Sequence, residues 1–167
     1  MNDRREQLER LYERFAADIA MYALRRADRE TAQDVVAETF LVAWRRIRDV
    51  PAEPLPWLYG VARRVLANQR RASSRRQALR ESLRANTVGV ASPPADLGLA
   101  EALRELSDND REVLMLIAWE GLTTREAAVA LGCSDTACRL RLHRARRRLA
   151  SLLADAFGGA VQAEEAR

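Results

Sequence analysis

The chain has 167 residues and a mass of 18.8 kDa, enough for one ordinary domain or two small ones. Its 28 Lys+Arg residues are all arginine and outnumber 24 Asp+Glu, which gives a net charge of +4 and a pI near 9.8. Hydrophobic residues make up 48%, no apolar run approaches a membrane span, and two Cys with one His leave little material for a disulfide framework or a metal cage.

The first element is an amphipathic helix over about residues 5–26, because Leu8, Leu11, Tyr12, Phe15, Ile19 and Tyr22 recur at steps of three and four. Val36, Phe40, Ala43, Trp44 and Ile47 mark a second helix over about 29–48. It stops before Val50-Pro-Ala-Glu-Pro-Leu-Pro56, where three prolines in six positions cannot continue a helix. Pro56 suits the first turn of a third helix from Trp57, with Leu58, Val61, Val65 and Leu66 inward. These three helices form a domain ending near Arg76. Residues 77–97 read as a linker, since Asn86 to Pro94 is rich in turn formers and lacks periodicity.

A second helical domain occupies 98–153. Leu99, Leu103 and Leu106 mark a short helix, and Ser107 caps the next, with Val113, Leu114, Leu116 and Ile117 apolar and Gly121 as its end. Thr123-x-x-Glu126 is a capping box that opens a short helix through Leu131. Gly132-Cys133-Ser134 makes a tight turn, and Ser134 caps a last helix from Asp135 to about Leu153. A short helix, a glycine turn and a longer arginine-rich helix have the layout of a helix-turn-helix. Cys138, Leu142, Ala145 and Leu149 share the inward face of that last helix. Thr136, Arg139, Leu140, His143, Arg144 and Arg147 share the outward one. The tail, 154–167, is expected to be frayed.

Charge is segregated along the chain. Residues 63–84 hold eight arginines against one acid, and 139–148 hold six arginines with no acid. Between them, residues 92–121 carry seven acids and two arginines. Two basic blocks flanking an acidic segment suit two contacts with a polyanion, while charged helix faces are also ordinary solvated surface. For catalysis the residues are poor material. His143 sits amid arginines, and Cys133 and Cys138, expected on different faces, make neither a nucleophile–base pair nor a metal site. No glycine-rich phosphate loop occurs, so no cofactor, metal or catalytic residue is expected.

Three segments in order carry a resemblance. Asp34-Val-Val-Ala-Glu38-Thr-Phe-Leu-Val-Ala-Trp44, Pro56-Trp-Leu-Tyr-Gly-Val-Ala-Arg-Arg64, and Leu122 to Gly132 followed by Arg139 to Arg146 resemble the extracytoplasmic-function (ECF) group of bacterial sigma-70 RNA polymerase sigma factors. The resemblance implies an all-α protein: a region 2-type bundle of three or four helices over 1–76, a flexible linker and a region 4-type helix-turn-helix. It implies a cytoplasmic, non-enzymatic initiation factor without membrane insertion. Its partners would be core polymerase, at the β′ clamp coiled coil and the β flap, promoter DNA and an anti-sigma factor. Polymerase binding is carried over to Asp34, Glu38, Phe40 and Trp44. Recognition and melting of the −10 element fall on Trp57, Arg63, Arg64, Asn68, Arg70 and Arg71. Reading of the −35 element falls on Ser134, Thr136, Arg139, Leu140, His143 and Arg144.

Physical chemistry leaves some of these roles open. Asp34 and Glu38 lie one helical turn apart, which suits a basic partner helix and equally a solvated pair. Trp57 beside arginines suits stacking on an unpaired base, and equally a core anchor. Arginine forks can take guanine O6 and N7 bidentately. This chain departs from the family at Ala37, Arg64 and Asn68, where glutamine, asparagine and aspartate are usual. A helix-turn-helix regulator binding duplex operator DNA without polymerase is the alternative function.

Overall fold

The computed structural model describes residues 2–81 and 97–165. Among them are seven α-helices and no strand: α1 (Asn2–Leu24), α2 (Arg29–Arg45), α3 (Pro54–Glu81), α4 (Leu97–Glu105), α5 (Asp108–Ala118), α6 (Thr124–Leu131) and α7 (Asp135–Glu165). A 3-10 turn, Ile47–Asp49, follows α2. The chain divides into two compact units, Met1–Ala91 and Ser92–Arg167.

In the first unit α1 packs on both α2 and α3. Ile19, Tyr22, Val35 and Leu58 are fully buried at the centre, each large apolar side chain contributing about 1.5–3 kcal/mol. Asp28 starts α2, its carboxylate accepting from the Thr31 backbone N–H at 2.8 Å, which holds that carboxyl below its ordinary range. α3 begins at Pro54 rather than at Trp57. All of its prolines lie in the first turn, where no intrahelical N–H is needed, so they open the helix instead of delaying it. It also continues to Glu81, five residues past the expected end of the domain at Arg76; Arg84 and most of the expected linker lie outside the described residues.

A buried arginine fastens the end of α1. Arg26 Nη1 donates to the Tyr22 carbonyl at 3.0 Å, and its guanidinium lies 3.7 Å from the Tyr22 ring centre. The Tyr22 ring in turn sits 5.1 Å from that of Tyr59 on α3. Arg70 reaches across from α3 to donate to the Arg26 carbonyl at 2.9 Å.

The second unit packs α4, α5 and α6 around α7. Val113, Leu116 and Cys138 are fully buried there. Ser107 caps α5 through the Asp110 N–H. Arg111 closes the other side of that corner. It donates to the carbonyls of Leu103 at 2.6 Å, Leu106 at 3.0 Å and Arg104 at 3.1 Å, which satisfies the open C-terminal end of α4. Lysine has no planar fork for three carbonyls. Arg111→Lys is therefore expected to lower stability by about 1–3 kcal/mol, read as an earlier urea midpoint in the transition of this unit.

Contrary to the expected frayed tail from residue 154, the α7 backbone stays helical to Glu165. Alanine and glutamate dominate Ala160 to Glu165, and only the Gly158–Gly159 pair opposes the helix, at about 1 kcal/mol per glycine. Among the described residues no helix is long and apolar enough to cross a membrane.

Candidate functional site

The capping box of α6 forms as its spacing requires. Glu126 Oε2 accepts from both the backbone N–H and the hydroxyl of Thr123, each at 2.7 Å, and the Thr123 hydroxyl oxygen accepts from the Glu126 N–H at 3.3 Å. Those bonds favour the charged carboxylate and hold Glu126 below its ordinary value of 4.5. A depressed folded pKa stabilises the fold above the unfolded value, and the gain disappears as pH falls through the folded one. Stability measured from pH 6 down to pH 3 is thus expected to decline less steeply in Glu126→Gln, which keeps the capping geometry but has no proton to take up.

The helix ends at Gly132 with φ +67°, a left-handed conformation that favours glycine. The Gly132 N–H donates to Val129 and the Cys133 N–H to Ala128, a complete Schellman closure. Ser134 then caps α7, its Oγ accepting from the Ala137 N–H at 3.2 Å. Cys138, Leu142 and Ala145 are buried beneath α7. Ser134, Thr136, Arg139, Leu140, His143 and Arg144 are all exposed, together with Arg147 and Arg148, so the six expected readers share one open surface. Leu140 is 51% exposed, an apolar side chain set among cations. Arg139 is braced by Asp135 at 2.7 Å one turn earlier, which limits the orientations of its guanidinium.

In the first unit the expected residues separate. Trp57 is half-buried in the first turn of α3, with the Arg46 guanidinium 5.9 Å from its ring centre, so it is neither a full core anchor nor a free aromatic. Trp57, Arg64, Asn68 and Arg71 follow one stripe of α3, and Asn68 Oδ1 accepts from Arg71 at 2.6 Å. Arg63 and Arg70 fall on another stripe. Arg70 is tied to the Arg26 carbonyl, so one arm of its guanidinium is committed to the fold.

On α2, Asp34 is exposed and Glu38 half-buried, its carboxylate at a loose 4.0 Å from Arg45. Trp44 is 41% exposed and available at the surface. Phe40 is not: it is 5% exposed and meets the Tyr12 ring edge-on at 4.9 Å, so it shapes α2 from within the core. An open groove of about 660 Å³ between α2 and α3 brings Asp34 and Glu38 together with Arg64 and Asn68. Leu41 and Arg46 line it too, and neither was singled out from the sequence. Leu41 lies two turns from Asp34 on the same helix face, so its spacing was the available signal.

The two cysteines do not occupy different helix faces as expected: Cys133 lies in the turn before α7, next to the Ser134 cap, and Cys138 is the fourth residue of that helix.

Two family models match this chain: sigma-70 region 2 over residues 11–76 and sigma-70 region 4 over residues 97–149. The ECF RNA polymerase sigma factor SigL of Mycobacterium tuberculosis is 33% identical over 149 residues, covering 83% of this chain and 84% of SigL. A complex of the sigma factor CnrH with the cytosolic domain of CnrY contains a chain 27% identical, with a TM-score of 0.61 over 87% of this chain and 86% of that one. The sigma factor RpoE of Bartonella quintana, solved with the anti-sigma factor NepR, shares the fold at a TM-score of 0.67 and 24% identity, over 87% and 95% of the two chains. The chain belongs to the ECF sigma factors of the sigma-70 family.

Proposed function

We propose that this protein binds core RNA polymerase and directs promoter-specific initiation, with the first unit contacting polymerase and the −10 element and the second unit the −35 element. The observation that carries the reading is the outward face of α7. Six aligned residues, two of them arginines suited to guanine, stand exposed on a helix held rigidly by a capped helix-turn-helix. The α2–α3 groove supports the other half. Acidic Asp34 and Glu38 on one wall suit a basic helix of the polymerase clamp, and Arg64 and Asn68 across it suit the backbone of an opened strand. Promoter melting then requires no covalent chemistry, only capture of unstacked bases, and the protein is not an enzyme.

Action on polymerase places it in the cytoplasm. Complexes of relatives with NepR and with CnrY support an anti-sigma factor as a further partner. Residues 1–76 and 98–153 serve as the two functional domains, and the chain between them connects two DNA contacts. Run-off transcription with purified core polymerase on a pool of genomic promoters tests the proposal. Defined start sites appearing only when this chain is added are expected. Duplex binding with no polymerase-dependent transcript would instead indicate an ordinary helix-turn-helix regulator.

A further inference from the structure

Cys133 is positioned twice over by local geometry. As the residue after Gly132 it completes the Schellman closure of α6, its N–H bound to the Ala128 carbonyl at 3.0 Å, which fixes its backbone at the end of that helix. It also immediately precedes Ser134, the cap of α7, and Cys138 is the fourth residue of α7. Those two positions are the ones that a hydrophobic staple brings into contact across the start of a helix. Here both are cysteine. Cys133 is partly exposed and Cys138 fully buried, and both are free thiols.

We infer that Cys133 and Cys138 form a thiol pair that a hydroperoxide converts to an intramolecular disulfide across the turn of the helix-turn-helix. The exposures divide the roles. Cys133, which solvent reaches, attacks a peroxide oxygen as its thiolate. The O–O bond breaks, Cys133 becomes a sulfenic acid, and the departing hydroxide leaves as water with the proton lost by the thiol. The Cys138 sulfur then attacks the Cys133 sulfur and gives up its proton, and the sulfenic oxygen departs as a second water. Two thiols lose two electrons, and with hydrogen peroxide as the oxidant one peroxide becomes two waters. Burial pushes the Cys138 thiol up, with Cys133 adding to the effect, Arg141 opposing it and Asp135 adding again. It therefore waits as a neutral thiol, shielded from the oxidant until its neighbour has reacted. The bond would tie the end of α6 to the second turn of α7, with the Ser134 cap inside the closed loop. This chemistry does not depend on what α7 binds.

The test treats the full-length reduced protein with hydrogen peroxide, then unfolds it and alkylates it with a maleimide, with peptide mapping of the products. Both cysteines are expected to lose alkylation together, to appear as one Cys133–Cys138 crosslink, and to recover fully with dithiothreitol. In Cys138→Ala, Cys133 is expected to be trapped by dimedone as a sulfenic acid. In Cys133→Ala, Cys138 is expected to remain alkylated after the same treatment. Unchanged alkylation of the wild type, a crosslink between two molecules, or irreversible oxidation of Cys133 with no internal bond would each overturn the assignment.

Discussion

Replacing Trp57 with alanine is expected to reduce promoter opening by about one to two orders of magnitude while leaving association with core polymerase intact. Stacking of one base on an aromatic ring is worth ~1–3 kcal/mol, and loss of that contact sets the size of the effect. The geometry gives the ring a suitable position. It is half-buried at the start of α3, braced near Arg46, and lies on the same stripe as Arg64, Asn68 and Arg71. Its half-buried position restricts its orientation and leaves part of the ring at the surface. Permanganate footprinting of the start region measures opening, and co-elution with core enzyme measures binding. Trp57→Phe, which keeps a stacking face, is expected to retain most of the activity. A matching urea midpoint for the alanine variant separates lost stacking from lost packing. Equal permanganate reactivity in the alanine variant and the wild type would end the assignment.

The double substitution of Arg139 and Arg144 by alanine is expected to remove specific binding through the second unit. A bidentate arginine–guanine contact discriminates by about 1–3 kcal/mol, so two such contacts amount to about a 30-fold loss at the low end and roughly twenty-thousandfold at the high end. Both residues are exposed on α7, and Arg139 is held by Asp135, which reduces the disorder lost on docking. Base-reading arginines make the loss depend on sequence, largest on the preferred site and small on random duplex. Phosphate-only contacts would weaken both equally. Competition binding with the preferred promoter fragment and a scrambled duplex distinguishes these outcomes, and an equal loss on both would refute base readout.

Features set by neighbours in sequence were legible before any coordinates. The Thr123–Glu126 box, the Ser107 and Ser134 caps and the glycine turn at 132 are exchanges among residues three to five apart, and the chain signals them directly. The open face of α7 followed from helical period and the inward Cys138–Leu142–Ala145 stripe. The six residues expected to read the −35 element are accordingly all exposed at the start and outward side of α7.

Where packing between helices decides, the sequence was ambiguous. Phe40 and Trp44 are one turn apart on the same apolar stripe, yet α1 covers Phe40 through Tyr12 and leaves Trp44 at the surface. Arg63 and Arg70 look equivalent to Arg64 and Arg71 in composition, but α3 turns them to a different side. The partner of Arg70 is a carbonyl 44 residues away, beyond the reach of any spacing rule. Cys133 lies in the turn that precedes α7 rather than on a helix face, so helical period does not place it relative to Cys138.

Arg111 has a consequence for how the basic character of this chain responds to ionic strength. Its guanidinium gives its donors to three backbone carbonyls and sits beside Asp108, so they are taken within the fold rather than by the phosphates of an approaching duplex. The slope of log affinity against log salt counts neutralised phosphates, and arginines engaged in this way contribute nothing to it. The 28 arginines therefore overstate the polyelectrolyte behaviour of the protein. Its sensitivity to salt is set by the cations left facing outward on α3 and α7.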